Sequence, residues 1–332
     1  MSPSDTDWPS SQVISLTTPS SSASTGISIF IDSRITSVSP SATSCPTWHS
    51  IFQTVPVMWA STSAIAVGHD TFPAVKEQVY KDPRPAEHFE RYHRRVRSKR
   101  PSWSYELVRL VITPIVLLVY RARCIDSDNV PADGPAILAP NHFSFLDHFF
   151  LAVYLRRKVH FMAKSQLFKA PLWPVINYGG VFPVRRGHHD DEAFRTAHAV
   201  LDRGDVVVMY AEAGRSRSGE LGEPRHGMGR LALESGVPVV PVAIAGSQGV
   251  RNWKRFRFPK VTVQFGRPLR FERVEEPTRG QAQRASEVVF DRVKGMFGRL
   301  VREGRRSAVM ASRAARRARQ AAEAAGRRPA RG

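Results

Sequence analysis

Cysteine is almost missing: Cys45 and Cys124 are the only two in 332 residues. Two isolated thiols build neither a disulfide framework nor a zinc-ligand pattern, and they suit a reducing, cytoplasmic setting. Acids are scarce too, with 29 Asp and Glu against 49 Lys and Arg and a formal charge of +20. That imbalance points to an anionic partner: nucleic acid, an acidic membrane surface or a phosphorylated substrate. No apolar run approaches the roughly 20 residues that a spanning helix needs. The N-terminus lacks the basic start, apolar run and small-residue cleavage site of a signal peptide.

What is present centres on Asn141-His142-Phe143-Ser144-Phe145-Leu146-Asp147. It follows the apolar run Ala136 to Ala139, which reads as a buried strand, and precedes Phe145 to Leu155, which reads as a helix. His142 then falls in the strand-to-helix turn and Asp147 in the first helical turn, where imidazole and carboxylate can meet. A carboxylate-steered imidazole is a general base suited to taking a proton from an alcohol. A second reading stands beside it. Ser144-x-x-Asp147 also fits a capping box, in which the acid only satisfies helix-start amides.

Four zones follow along the chain. Residues 1–75 are rich in Ser, Thr and Pro and nearly uncharged, and are expected to be disordered or absent from the native product, with translation starting near Met58 or later. Residues 76–125 hold a basic helix, expected to be solvated, and then an apolar stretch from Leu107 to Tyr120. That stretch reads as an interfacial or re-entrant membrane anchor, with a buried core helix as the alternative. Residues 126–303 alternate strands and helices. Strands are expected at 136–139, 159–163, 180–184, 206–210, 237–244 and 261–265, with helices at 145–155, 165–178, 190–201, 229–234 and 281–303. This pattern predicts an α/β domain, a largely parallel mixed sheet flanked by helices, the last two strands adding an antiparallel edge. Residues 304–332 form an Arg/Ala-rich tail, expected to be a disordered basic tail, with a nucleic-acid arm or a membrane-binding tail as the alternatives. Open sheets of this kind bind ligands beyond the carboxyl ends of their strands. His142, Arg185 and Glu212 all fall just after strand ends.

Other patches carry chemistry. Gly179 to Gly187 ends a strand with paired arginines, whose forks suit phosphate oxygens; a solvated basic loop is the alternative. Tyr210 to Gly219 sets Glu212, Gly214, Arg215 and Ser216 in a turn able to cradle a phosphate. Val237 to Ile244 is an apolar strand interrupted by Pro238 and Pro241, a core strand or the wall of an acyl-chain slot. Arg251 to Phe258 interleaves aromatics with cations, as single-stranded nucleic acid or a lipid interface would require.

Taken in order, these patches resemble the glycerolipid acyltransferases typified by 1-acyl-sn-glycerol-3-phosphate acyltransferase. Asn141, His142 and Asp147 match the family's first motif; Gly179, Phe182 and Arg185 match its second. Tyr210 to Ser216 partly meet its third, usually Phe-Pro-Glu-Gly-Thr-Arg-Ser, and the strand around Pro241 meets its fourth. The third departs: Ala211, Ala213 and Gly214 stand where the family has Pro, Gly and Thr. Four ordered motifs are far more specific than one.

The resemblance implies transfer of an acyl group from acyl-CoA or acyl carrier protein to the free hydroxyl of a lysophospholipid, foremost 1-acyl-glycerol-3-phosphate, without metal or bound cofactor. His142 and Asp147 would be catalytic. Asn141, Gly180, Phe182, Arg185, Glu212, Gly214, Arg215, Ser216 and Pro241 would bind substrate, the two arginines clamping phosphate and Glu212 holding the glycerol part. The expected place is the cytoplasmic face of the cell membrane, peripheral or monotopic, on an anionic surface and without specific nucleic acid. Two alternatives are action on another lysolipid and a non-catalytic basic binder of anionic lipid or nucleic acid. A serine hydrolase is disfavoured, since no Gly-x-Ser-x-Gly elbow lies near the candidate base.

Overall fold

The computed structural model describes residues 12–14, 81–169, 171, 173–185, 190–216, 218–250 and 258–326. Most of the expected 1–75 extension, the 251–257 part of the aromatic–cation patch, Arg186, Gly187 and the end of the tail lie outside them. The elements in chain order begin with β1 (Gln12–Ile14), α1 (Glu87–Ser98), α2 (Trp103–Pro114) and a π-turn (Ile115–Val119). Then come β2 (Arg123–Ile125), β3 (Ala136–Pro140), α3 (Asp147–Ala152), β4 (Val159–Lys164), α4 (Trp173–Tyr178) and β5 (Val181–Val184). The chain closes with α5 (Asp191–Asp202), β6 (Val206–Val208), α6 (His226–Ser235), β7 (Val239–Ala245), β8 (Thr262–Phe265), β9 (Leu269–Phe271) and α7 (Arg279–Gly326).

The strands form one nine-stranded mixed sheet, β1-β9-β7-β3-β6-β4-β5, with β8 also pairing β7 and β2 pairing β8. Every pairing is parallel except β7 with β8 and with β9. The expected antiparallel neighbour is there, but β2 extends the sheet beyond it. Alternation along β3 explains the two cores. Ile137 and Ala139 face α5, α6 and α7, whereas Ala136 and Leu138 face Tyr105, Val116 and the α3 residues Phe150 and Leu151. Pro241 is tolerated inside a central strand because it sits between the β9 pairing at Val239 and the β8 pairing from Val242.

Several expectations change. The stretch 165–178 is interrupted around Pro171, which leaves a short 3₁₀ turn at Ser165–Leu167 and then α4. The basic helix α1 is solvated on one side only; Phe89, Tyr92, His93 and Val96, at helical spacing, are buried. The tail is helical: α7 runs through the 304 position, where Gly304 (φ 78°, ψ 167°) breaks the helix, and continues to Gly326. Alanine-rich sequence favours the helix, and it is docked by buried Ala308, by a Ser312–Asp126 hydrogen bond and by Arg316 to Asp128 at 2.9 Å.

The apolar stretch is not a buried core helix. Trp103, Leu107, Leu110, Val111, Ile115, Leu117 and Leu118 are exposed, while Ser104, Tyr105 and Val116 face inward. Among the described residues no single helix is long and apolar enough to cross a membrane; α1 and the α2–π-turn segment form a pair bent by 87°.

Helices α6 and α7 approach so closely that a Cβ on Gly229 would overlap the carbonyl oxygen of Ala282. Gly229 N–H also donates to Ser286 Oγ at 2.8 Å. Because the obstructing atom is backbone, Gly229→Ala is expected to destabilise the protein by about 1–3 kcal/mol or more, read as a lower urea midpoint.

Candidate active site

The turn after β3 is built around one carboxylate oxygen. Asp147 Oδ2 accepts from His142 Nδ1 at 2.9 Å and from the backbone N–H groups of Phe143 and Ser144 at 2.8 Å each. Both readings of the heptapeptide therefore hold together: the acid satisfies turn amides and orients the imidazole with the same atom. Since the carboxylate accepts, Nδ1 carries the proton and Nε2 presents a lone pair. No described group bonds Nε2, and the His142 side chain is 9% exposed. The amides of Phe143 and Ser144 are already taken, so they are not free to stabilise an oxyanion.

Asn141 braces the turn from the other side. Its carboxamide donates to Ile244 O at 3.0 Å and accepts from Ile244 N at 2.7 Å, continuing the β3–β7 pairing through a side chain. It is fully buried. Expected at the substrate, Asn141 is instead committed to the backbone of β7.

Carrying the β3–β6–β4–β5 register one to four residues past the strand ends lines up His142, Glu212, Ser165 and Arg185 along one edge. Glu212 meets the His142 turn directly, accepting from His142 N at 2.8 Å with Oε1 and from Gly222 N at 2.7 Å with Oε2. Both oxygens are used on backbone, so Glu212 ties two loops together rather than standing free for a glycerol hydroxyl. Burial raises its pKa, opposed by these two hydrogen bonds. Ser216 completes the bracket: its N–H donates to His142 O at 2.9 Å and its hydroxyl to Glu220 O at 2.5 Å. Arg215 is exposed on this loop.

Arg185 stands three strands from His142, roughly 14 Å at ordinary strand spacing. It is half-buried, its Nη2 donates to Arg84 O at 3.0 Å, and its Nε has no partner among the described residues. The second-motif residues around it are structural: Phe182 is fully buried, and Gly180 has φ +86° with His160 Nδ1 3.0 Å from its carbonyl oxygen. Pro241 is also buried, and a Cβ on Gly266 would come within 2.8 Å of its ring. These three, expected to bind substrate, pack the scaffold beneath the edge.

Two aromatic rings escaped the sequence reading. Tyr210 stacks on His142 with centroids 3.9 Å apart and planes at 25°, and its hydroxyl lies 3.0 Å from His148 Nδ1. Burial pushes the Tyr210 pKa far up and draws that of His148 down to about 4, so both stay neutral. The signal for Tyr210 was its place in the third motif, where the family usually has Phe.

The third-motif departure also resolves. Ala213 has φ 54°, a left-handed conformation suited to glycine. The backbone keeps the shape that a glycine would adopt, and the alanine bears the strain, about 1 kcal/mol. Gly214 needs no such conformation. Ala213→Gly is accordingly expected to raise the melting temperature slightly, by up to about 1 kcal/mol of stability after the entropic cost of glycine.

A pH dependence follows from two histidines, His93 buried and His148 half-buried. His93, whose Nδ1 lies 2.9 Å from Thr196 Oγ1, and His148 both have pKa values drawn down to about 4, chiefly by burial. Between the ordinary value near 6.5 and about 4, the unfolded chain binds protons that the folded chain does not. Stability is thus intact above that window and falls through it on acidification, by up to about 1.4 kcal/mol per pH unit for each histidine. Glu212, with its raised pKa, acts in the opposite sense just above the usual carboxyl range. Thermal unfolding across the window checks this; a flat profile would contradict it.

The Acyltransferase family model matches residues 121–245, which include β2 through β7. A chloroplastic 1-acyl-sn-glycerol-3-phosphate acyltransferase of Brassica napus is 27% identical over 49% of this chain and 49% of its own length. A chloroplastic Arabidopsis thaliana enzyme of the same name is 30% identical over 40% of each chain. The Bacillus subtilis 1-acyl-sn-glycerol-3-phosphate acyltransferase is 23% identical over 59% of this chain and 98% of its own. The chain spans half or less of the two plant relatives. A crystal structure of the Thermotoga maritima 1-acyl-sn-glycerophosphate acyltransferase aligns with TM-score 0.46 and 21% identity, over 65% of this chain and 89% of that one. By its ordered motifs and by these matches, the chain carries an acyltransferase segment over residues 121–245 and is similar to the 1-acyl-sn-glycerol-3-phosphate acyltransferases.

Proposed function

We propose that this chain moves a fatty acyl group from acyl-CoA or acyl carrier protein to the free hydroxyl of a lysophospholipid, foremost 1-acyl-glycerol-3-phosphate, giving phosphatidic acid. The observation that carries the reading is the His142 Nδ1–Asp147 Oδ2 bond with Nε2 left unbonded. Nε2 takes the hydroxyl proton as the oxygen attacks the thioester carbonyl, while Asp147 favours the imidazolium that forms. The tetrahedral intermediate collapses, the C–S bond breaks, and the imidazolium returns its proton to the departing thiolate. The products are a new ester and a free thiol.

Arg215, exposed beside the His142 turn, is the nearer candidate for the acceptor phosphate, with Arg185 further along the same edge. The acceptor reaches this edge from a lipid surface. The exposed apolar face of α2 and the π-turn supports that, and so does the exposed Phe145 next to His148, their rings 5.3 Å apart. In this reading the enzyme sits on the membrane as a monotopic protein, its apolar face among the acyl chains and its basic surface at the headgroups.

Thiol release from acyl-CoA in the presence of lysophosphatidic acid tests the proposal, with mass spectrometry of products from a panel of lysolipids to identify the acceptor. His142→Ala is expected to lower turnover by about 10²–10⁴-fold with the melting temperature retained. Near-normal turnover in that variant would overturn the assignment.

A further inference from the structure

The kinked second half of α7 creates a feature for which the reaction has no use. Between it, the start of β2 and Lys260, two residues before β8, lies a cavity of about 370 Å³ lined by Arg123, Lys260, Arg305, Arg306 and Arg313, with Val309 and Met310 as its apolar wall. Five of its seven lining residues are cations and none is an acid. The acids that α7 does meet, Asp126 and Asp128, are paired to Ser312 and Arg316. The side chains of Arg123, Lys260, Arg306 and Arg313 make no hydrogen bond or ion pair among the described residues. Arg305 Nη1 donates to Arg121 O at 2.6 Å, and Arg121 is held at φ 43°, an uncommon conformation for a long side chain. Burial, then the nearby charges of Arg123 and Arg121, lower the pKa of Arg305. Like charges gathered around a concavity repel one another, and an anion placed among them removes that cost.

We propose that this cavity binds the phosphate of an anionic phospholipid headgroup at the membrane surface, as a site separate from the His142 turn. Its position argues for lipid. The exposed Leu117, Leu118 and Val119 run directly into Tyr120, Arg121 and Arg123, so apolar surface borders the cations along the chain. Met310 (72% exposed) and Val301 (59%) add apolar side chains on the α7 side. Guanidinium groups beside exposed apolar side chains suit a phosphate whose acyl chains continue into the bilayer. None of the lining residues belongs to the His142 turn or its bracket, so this binding does not depend on the proposed acyl transfer.

The test uses the full chain in flotation with phosphatidylcholine vesicles, with and without phosphatidylglycerol. The cavity variant K260Q/R306Q/R313Q is compared with R292Q/R299Q/R302Q, which removes equal charge from α7 outside the cavity. The expected result is that phosphatidylglycerol strengthens binding, and that the cavity variant loses about fivefold per charge removed while the control loses much less. Equal loss in both variants would mean diffuse attraction and would overturn the site. Competition of vesicle binding by soluble CoA would assign the phosphate to the donor instead, and competition by a short oligonucleotide would assign it to nucleic acid; either overturns the lipid reading. Vesicle binding by His142→Ala is expected to be unchanged, which separates this inference from the catalytic one.

Discussion

One oxygen atom holds the site together. Asp147 Oδ2 gathers an imidazole N–H and two backbone N–H groups in a fully buried position. Burying a carboxylate is costly, and three donors converging on Oδ2 offset that cost, while Oδ1 has no partner among the described residues. The turn cannot relax without breaking those bonds, so the imidazole is aimed before any substrate arrives. Asn141 gives the turn its other anchor by pairing with both backbone groups of Ile244.

Around that turn the fold spends polar side chains on its own backbone. Glu212 joins the His142 amide to the Gly222 amide, and Ser216 returns a hydrogen bond to the His142 carbonyl. Of the residues shared with the motifs, His142 Nε2 and the exposed Arg215 are not committed to the scaffold, while Asn141, Gly180, Phe182, Glu212 and Pro241 keep the edge in shape. A motif can thus be a record of how a turn is built as much as of what touches a ligand.

The molecule's charge and its apolar surface are sorted. The exposed face of α2 and the π-turn carries leucine, isoleucine, valine and tryptophan, and the chain passes from it straight into arginines. There the second half of α7 adds Arg305, Arg306 and Arg313 beside Arg123. Such a division suits a protein that works where hydrocarbon meets anionic headgroups.

Sequence alone determined the local matters: alternating strands and helices, the His142–Asp147 meeting and the apolar stretch. Each depends on residues close in the chain, through period and turn geometry. It did not determine what Glu212 or Asn141 bond to, because their partners lie 70 and 103 residues away. Nor did it reveal that Ala213 holds a glycine's conformation, that Tyr210 stacks on the base, or that an arginine-rich tail folds back as a docked helix. Those were decided by packing, because strand order and helix docking bring together groups that chain distance keeps apart.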